Sequence, residues 1–210
     1  VPNTDSESDG VTAGFAWISE RSMVGFAWGR AETNYGLPGP AEHAHEEEPA
    51  ASAVAALAAG EEEEEAVRID QTADRYDFKG EWRELGGLLD NVALRAAYTD
   101  YEHDELEGDE IGTRFEQTGL DTRLHLGHRA IAGWAGTLGV QYTDLDLEAI
   151  GAEAYIPPSQ TTGLAAFLVE QQRFGDWTVD FGGRLERQEI DVETAARDYE
   201  GTAFSAAAGL

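Results

Sequence analysis

Two histidines beside an acidic run are the first candidates for chemistry in this chain. His43 and His45 are separated by one residue, and a run of three glutamates begins at Glu46. In an extended segment the two imidazoles point to the same side, because alternate side chains share a face. Imidazole nitrogen together with carboxylate oxygen suits a borderline divalent metal such as zinc, and copper or nickel would accept the same ligands. We therefore predict a metal site at His43, His45 and Glu46.

A second cluster of the same type follows in the sequence. His103, Asp104 and Glu105 are consecutive and fall at the predicted start of a long link between two strands. We take His103 and Asp104 as the candidate ligands. We expect them to lie on the same side as the first cluster and to complete its ligand set. His125 and His128 fall within a strand and beside a short turn, which is typical of residues in a barrel wall.

The sequence offers no catalytic constellation. It has neither a nucleophile elbow nor a phosphate-binding loop, and acidic residues are so numerous that any acid–base pair would arise by chance. The chain also contains no cysteine, which excludes a thiolate metal site and a disulfide framework. We therefore predict that the protein is not an enzyme and carries no prosthetic group.

Alternation of apolar and polar residues predicts the elements that position these clusters. Such alternation places one set of side chains on each side of an extended strand. We predict strands at residues 10–18, 23–35, 67–83, 91–101, 113–128, 134–147, 161–173 and 177–190, with a ninth starting near Thr202. The apolar side comprises Leu124, Leu126, Leu138, Val140, Val179, Phe181 and Leu185. The polar side comprises Arg123, His125, Gln141, Asp180, Arg184 and Glu186.

The links between the predicted strands alternate strictly between short and long. Short links fall at 19–22, 84–90, 129–133 and 174–176, and long links at 36–66, 102–112, 148–160 and 191–201. This order predicts an all-β fold, an antiparallel up-and-down meander that forms part of a transmembrane outer-membrane β-barrel. The short links are flanked by aromatic residues: Trp17, Trp82, Trp134, Phe174 and Trp177. Such residues form an interfacial girdle in outer-membrane barrels. Aromatic residues at the ends of a soluble β-sandwich core are the alternative.

Charge narrows the list of partners. The formal net charge is −28, which argues against nucleic acid, because phosphate binding requires basic surface. Much of the acid lies in the link 36–66, which we interpret as a long extracellular loop that contains the histidines. A solvated spacer is the alternative for its glutamate runs. Residues 50–65 are the one stretch where alanine-rich composition favours a helix.

The predicted strand count indicates a piece of a larger wall. Bacterial single-chain barrels have an even number of strands, whereas this sequence supplies eight and part of a ninth. No secretory signal precedes the first strand. We therefore expect residues 1–210 to form a partial barrel domain.

Three stretches carry a family resemblance. Residues 33–39 (TNYGLPG) lead into the His- and Glu-rich link, residues 98–103 read YTDYEH, and residues 149–158 read AIGAEAYIPP. With these stretches the chain resembles the TonB-dependent outer-membrane receptors, in particular the zinc-uptake branch. After Gly39 that branch commonly carries several closely spaced histidines, and here only His43 and His45 follow.

The resemblance implies a barrel of about 22 strands in the outer membrane of a Gram-negative bacterium. It also implies a plug domain, absent from this chain, through which the inner-membrane TonB complex supplies energy. The expected function is import of a divalent metal, zinc, captured by extracellular loops. The alternatives are a receptor for a siderophore or other metal chelate, and a structural β-protein with no role in transport.

Overall fold

A computed structural model describes residues 3–38, 66–108, 110–152, 154–193 and 198–210. These residues form nine β-strands in one sheet, and each strand is antiparallel to the next in the chain. The strands are β1 (Ser6–Ile18), β2 (Ser22–Gly36), β3 (Val67–Gly86), β4 (Leu89–Glu107), β5 (Glu110–Ile131), β6 (Trp134–Gly151), β7 (Ser159–Phe174), β8 (Trp177–Val192) and β9 (Tyr199–Gly209). The predicted all-β, up-and-down meander is confirmed.

The register separates the two faces of the sheet. Directly paired residues lie on the same side, so each row across the strands belongs to one face. One row is apolar in every strand and defines the outer face: Trp17, Val24, Gly80, Leu94, Leu124, Val140, Ala166, Leu185 and Phe204. The next row defines the inner face, which is polar at its centre: Ala16, Gly25, Lys79, Arg95, Arg123, Gln141, Ala165, Glu186 and Ala203. The predicted apolar and polar sets fall on these two faces.

The sheet has almost no core of its own. Among the described residues, only Ile69 and Ala165 are buried apolar side chains. Residues of the outer face stay open: Val140 is 44% exposed, Leu185 55% and Phe15 69%. An apolar surface of this extent requires an apolar covering, because monomeric soluble proteins rarely expose one. Within the same described residues, no helix is long and apolar enough to cross a membrane.

The short turns lie at one end of the sheet and carry aromatic side chains. The β5–β6 turn is closed by the pair Ile131 and Trp134. The Trp134 ring meets Phe174 and Phe181 edge to face, with centroids 6.2 and 5.1 Å apart. These contacts join β6, β7 and β8 close to their short-turn ends, where an interfacial aromatic girdle belongs.

One predicted long link is wrong. The link expected at 102–112 is strand for most of its length, since β4 continues to Glu107 and pairs there with Glu110 of β5. The links expected at 148–160 and 191–201 are also shortened, because β6 ends at Gly151, β7 begins at Ser159 and β8 ends at Val192. The strands therefore extend further at the long-loop end than the alternation of apolar and polar residues predicts. The predicted helix at 50–65 lies outside the described residues.

Candidate metal site

The first predicted cluster belongs to the connection between β2 and β3. His43, His45 and Glu46 lie outside the described residues, so the structure shows only the strands on either side of them. β2 ends at Gly36 and β3 begins at Val67. The segment 37–66 therefore leaves and rejoins the sheet at neighbouring strands of the long-loop end.

The two ends of segment 37–66 are fastened together. The Leu37 amide donates a hydrogen bond to the Val67 carbonyl at 2.9 Å. The Asn3 side-chain amide donates to the carbonyls of both residues at 2.7 Å. Close to these hydrogen bonds, the Arg68 guanidinium donates two hydrogen bonds to the Asp5 carboxylate, 3.1 and 2.9 Å long. These Arg68 hydrogen bonds, with a backbone hydrogen bond and the Arg68 charge, lower the pKa of Asp5.

The second predicted cluster is divided by the sheet. His103 and Asp104 lie inside β4, not in a loop, and adjacent strand residues point to opposite faces. His103 pairs in register with Phe115, and Asp104 pairs with Arg114. His103 is on the inner face and Asp104 on the outer face, so the structure does not bring these two side chains together.

Asp104 is engaged by an arginine. Arg114 Nε donates to Asp104 Oδ1 at 2.6 Å, and Arg114 Nη2 donates to Asp104 Oδ2 at 2.7 Å. A bidentate pair of this kind occupies both carboxylate oxygens. Arg114 Nη2 also lies 3.6 Å from Glu102 Oε1, so a second carboxylate holds the same guanidinium. A metal at Asp104 would have to displace this guanidinium.

His103 keeps a free ligating position. Its ring stacks on Phe115 with centroids 4.6 Å apart and meets Tyr101 edge-on at 5.5 Å. Its Nδ1 atom is buried and has no hydrogen-bond partner among the described residues. A buried polar atom without a partner is costly, and a bound cation is one way to satisfy an imidazole nitrogen.

The second sequence cluster also contains Glu105, which the predicted ligand set omits in favour of Asp104. This residue is two positions from His103 and therefore shares the inner face with it. The period-2 pattern would have selected Glu105 over Asp104 had β4 been extended to its observed end. In the part of the chain that the structure describes, no three His, Cys, Asp or Glu side chains are grouped to hold a metal ion.

The fold and this site together define a class of protein. The sheet has one apolar face, a polar inner face, short turns at one end and, at the other, connections that include segment 37–66 as well as the tight β4–β5 turn. Such a sheet is the wall of a membrane-spanning β-barrel. The chain belongs to the TonB dependent receptor-like β-barrel family, which it matches over residues 10–210. Such receptors are transporters of the Gram-negative outer membrane, so the predictions of location and of a non-enzyme are confirmed.

Solved structures with the same fold are distant in sequence. The copper transporter OprC is 12% identical with a TM-score of 0.72, and the match covers 97% of this chain and 33% of OprC. The FrpB iron transporter from Neisseria meningitidis (F3-3 variant) is 11% identical with a TM-score of 0.69, covering 98% and 35%. The alcaligin outer-membrane receptor FauA from Bordetella pertussis is 10% identical with a TM-score of 0.62, covering 97% and 32%. The chain thus spans about a third of these proteins.

Proposed function

We propose that the complete receptor captures a divalent metal ion, zinc, at the long-loop end and imports it through the barrel. The observation that carries this proposal is the unpartnered Nδ1 atom of His103 on the inner face. Segment 37–66, with His43, His45 and Glu46, joins β2 and β3. Thr33 of β2 pairs with Gln71 of β3, which in turn pairs with His103. The segment that contains the loop histidines therefore joins the sheet at β2 and β3, and β3 is paired with β4, the strand that carries His103.

The named relatives support a metal-related cargo in general. OprC is a copper transporter and FrpB an iron transporter by name, and imidazole with carboxylate suits zinc among the borderline metals. Import in this proposal uses energy from the inner-membrane TonB complex, transmitted through a plug domain outside this chain. Lipid of the outer membrane covers the outer face.

A receptor for a metal chelate is the second candidate. FauA is a receptor for alcaligin by name. Lys79, Arg95 and Arg123 lie in one row on the inner face, where they repel a bare divalent cation and attract an anionic chelate. Membership in a receptor family argues against the third alternative, a structural β-protein.

Zinc titration of the complete receptor tests the preferred function. Calorimetry with zinc alone should show binding at neutral pH for the parent and none for a variant with His43, His45 and His103 all changed to Ala. Binding by the parent should weaken as the pH is lowered, because metal binding requires neutral imidazole and competes with protons.

The matched control removes one histidine from another part of the wall. His125 is also on the inner face and its Nε2 atom is likewise buried without a partner among the described residues. His125→Ala should nevertheless leave zinc affinity unchanged, because segment 37–66 joins the sheet at the opposite end. Unaltered zinc binding in the triple variant would show that the loop histidines and His103 are bystanders. The chelate receptor would then be the better description.

A further inference from the structure

Three cations face one another across neighbouring strands of the inner face. Lys79 of β3 is directly paired with Arg95 of β4, and Arg95 is directly paired with Arg123 of β5. Neighbouring strands are only ~4.8 Å apart, and like charges directly opposite each other destabilise a sheet. Because the whole chain carries a net charge of −28, this concentration of positive charge is local and requires its own compensation.

The carboxylates near this row already have partners. Asp77 receives two hydrogen bonds from Arg75, each 2.9 Å long. Asp121 accepts one from the Gln141 side-chain amide at 2.7 Å. Glu81, in the next row, accepts one from Arg83 at 2.6 Å. Asp77 and Asp121 are thus directed at groups outside the cationic row, whereas Glu81 also interacts electrostatically with Lys79 and Arg95.

The cations themselves have spare donors. Within the described part of the chain, Lys79 and Arg95 have no hydrogen bond and no carboxylate within ion-pair distance, and their charges act on the Glu81 carboxylate from further away. Arg123 Nη2 donates to Gln141 Oε1 at 2.8 Å. The Nε atom of Arg123, however, is buried and has no partner among the described residues. Two guanidinium groups and one ammonium group therefore offer donors to a single region of the inner face.

A cavity lies over this row. Its volume is about 500 Å³, and its charged lining is Arg75, Asp77, Lys79, Arg95, Asp121 and Arg123. Four cations against two carboxylates leave it positive. The space is ample for a group of phosphate or carboxylate size.

We propose that this cavity binds an oxyanion, either a carboxylate or a phosphate group. The forked guanidinium groups of Arg95 and Arg123 match two oxygens of such a group, and Lys79 adds a point charge. The oxyanion can be a small free anion in the lumen or a carboxylate from another part of the receptor. The inference rests on the register of the wall and is independent of which metal is carried.

Inorganic phosphate is the probe for a free anion. We expect phosphate, compared with chloride at equal ionic strength, to raise the unfolding temperature of the complete receptor in detergent. Arg95→Gln should weaken the phosphate affinity measured by calorimetry about tenfold or more, since it removes a charge-assisted hydrogen bond. The control is Arg187→Gln, which removes an arginine that pairs with Glu200 on the outer face and should leave phosphate binding unchanged.

The two sources of oxyanion give different results. If a carboxylate of the receptor fills the cavity, phosphate will have no effect on the parent, and Arg95→Gln will lower its unfolding temperature. If phosphate binds, Arg95→Gln will abolish the phosphate response without lowering stability in chloride. The exposed Lys79→Gln serves as a second variant should Arg95→Gln fail to fold. The proposal is overturned if the parent ignores phosphate and neither variant lowers stability, or if Arg187→Gln loses phosphate binding equally.

Discussion

At the scale of single residues, the decisive fact is which face of β4 a side chain occupies. His103 and Asp104 are adjacent in sequence, yet one stacks on Phe115 inside the wall and the other holds Arg114 outside it. Glu105 returns to the side of His103. A ligand set for an ion that passes through the lumen must be drawn from inner-face residues, because the sheet separates the two sides.

The alternation of β4 side chains between the two faces predicts which carboxylate takes part in zinc capture. Glu105→Gln should weaken zinc binding by the complete receptor, since it removes a carboxylate beside His103. Asp104→Asn should leave zinc affinity unchanged, since that carboxylate lies on the opposite face. Calorimetric titration of both variants under identical conditions makes the comparison. Equal losses, or a larger loss for Asp104→Asn, would place the ion outside the inner face.

At the scale of elements, the strand order and the two faces could be predicted from the sequence, while the height of the wall could not. Alternation reveals a strand only where one face is apolar and the other polar. Beyond Tyr98 the outer face of β4 changes to Asp100, Glu102 and Asp104, so both faces are polar and the pattern disappears. Hydrogen bonding between β4 and β5 nevertheless continues to Glu107.

The loss of apolar–polar alternation at the end of β4 also explains why the predicted ligand set contains the wrong carboxylate for the inner face. In a loop, residues adjacent in sequence can lie close in space, so the predicted ligand set contains Asp104 and omits Glu105. In a strand, alternate residues share a face, and Glu105 therefore lies on the side of His103. Spacing alone could select His43 and His45 as a pair. It could not show that Arg114 occupies the Asp104 carboxylate, because that contact depends on the register between two strands.

The β5–β6 turn provides a stability prediction at this scale. Ala132 has φ of 53° and Gly133 has φ of 92°, and this left-handed region disfavours residues with a Cβ other than Asn and Asp. Ala132→Asn creates the Asn-Gly pair preferred in two-residue hairpin turns and should stabilise the folded receptor by roughly 0.5–1 kcal/mol. Urea unfolding in lipid vesicles measures the change.

Gly133→Ala is the counterpart with the opposite sign. It places a Cβ at a positive φ and against the Gln172 side-chain amide, so the receptor should be less stable. If Ala132→Asn proves neutral or destabilising while Gly133→Ala has no effect, the turn does not have the geometry described.

The two faces of β6 provide a second prediction. Val140 lies on the outer face between Leu124 and Ala166, and Thr143 lies on the inner face opposite Asp121. Val140→Arg should cost about 2–4 kcal/mol of folding free energy near the middle of the bilayer. Thr143→Arg should be tolerated, because the new cation meets water and the Asp121 carboxylate. Folding of the complete receptor into lipid vesicles compares the two, and similar costs would contradict the assignment of faces.

At the scale of the whole molecule, the chain is a sheet with two free edges and two dissimilar ends. The first and last strands, β1 and β9, are not paired with each other. A membrane provides no water for unpaired backbone groups, so a wall of this kind is stable only when the sheet closes. The two ends differ in the length of their connections. The short turns contain only a few residues, whereas the longer links at the other end supply residues that can bind a ligand. This asymmetry is compatible with the proposed function, in which a metal ion is captured at the long-loop end and then passes along the inner face.

That asymmetry fixes an orientation that labelling can test. Long links of outer-membrane barrels face the exterior and short turns face the periplasm. This chain contains no cysteine, so an introduced thiol is its single labelling site, and the receptor without an introduced thiol provides the background. Tyr155→Cys, in the β6–β7 link where the side chain is 84% exposed, should react with a membrane-impermeant maleimide on intact cells. Asp176→Cys, in the β7–β8 turn, should react only after the outer membrane is permeabilised. Labelling of Asp176→Cys but not Tyr155→Cys on intact cells would invert the barrel, and the histidine segment would then face away from any external metal.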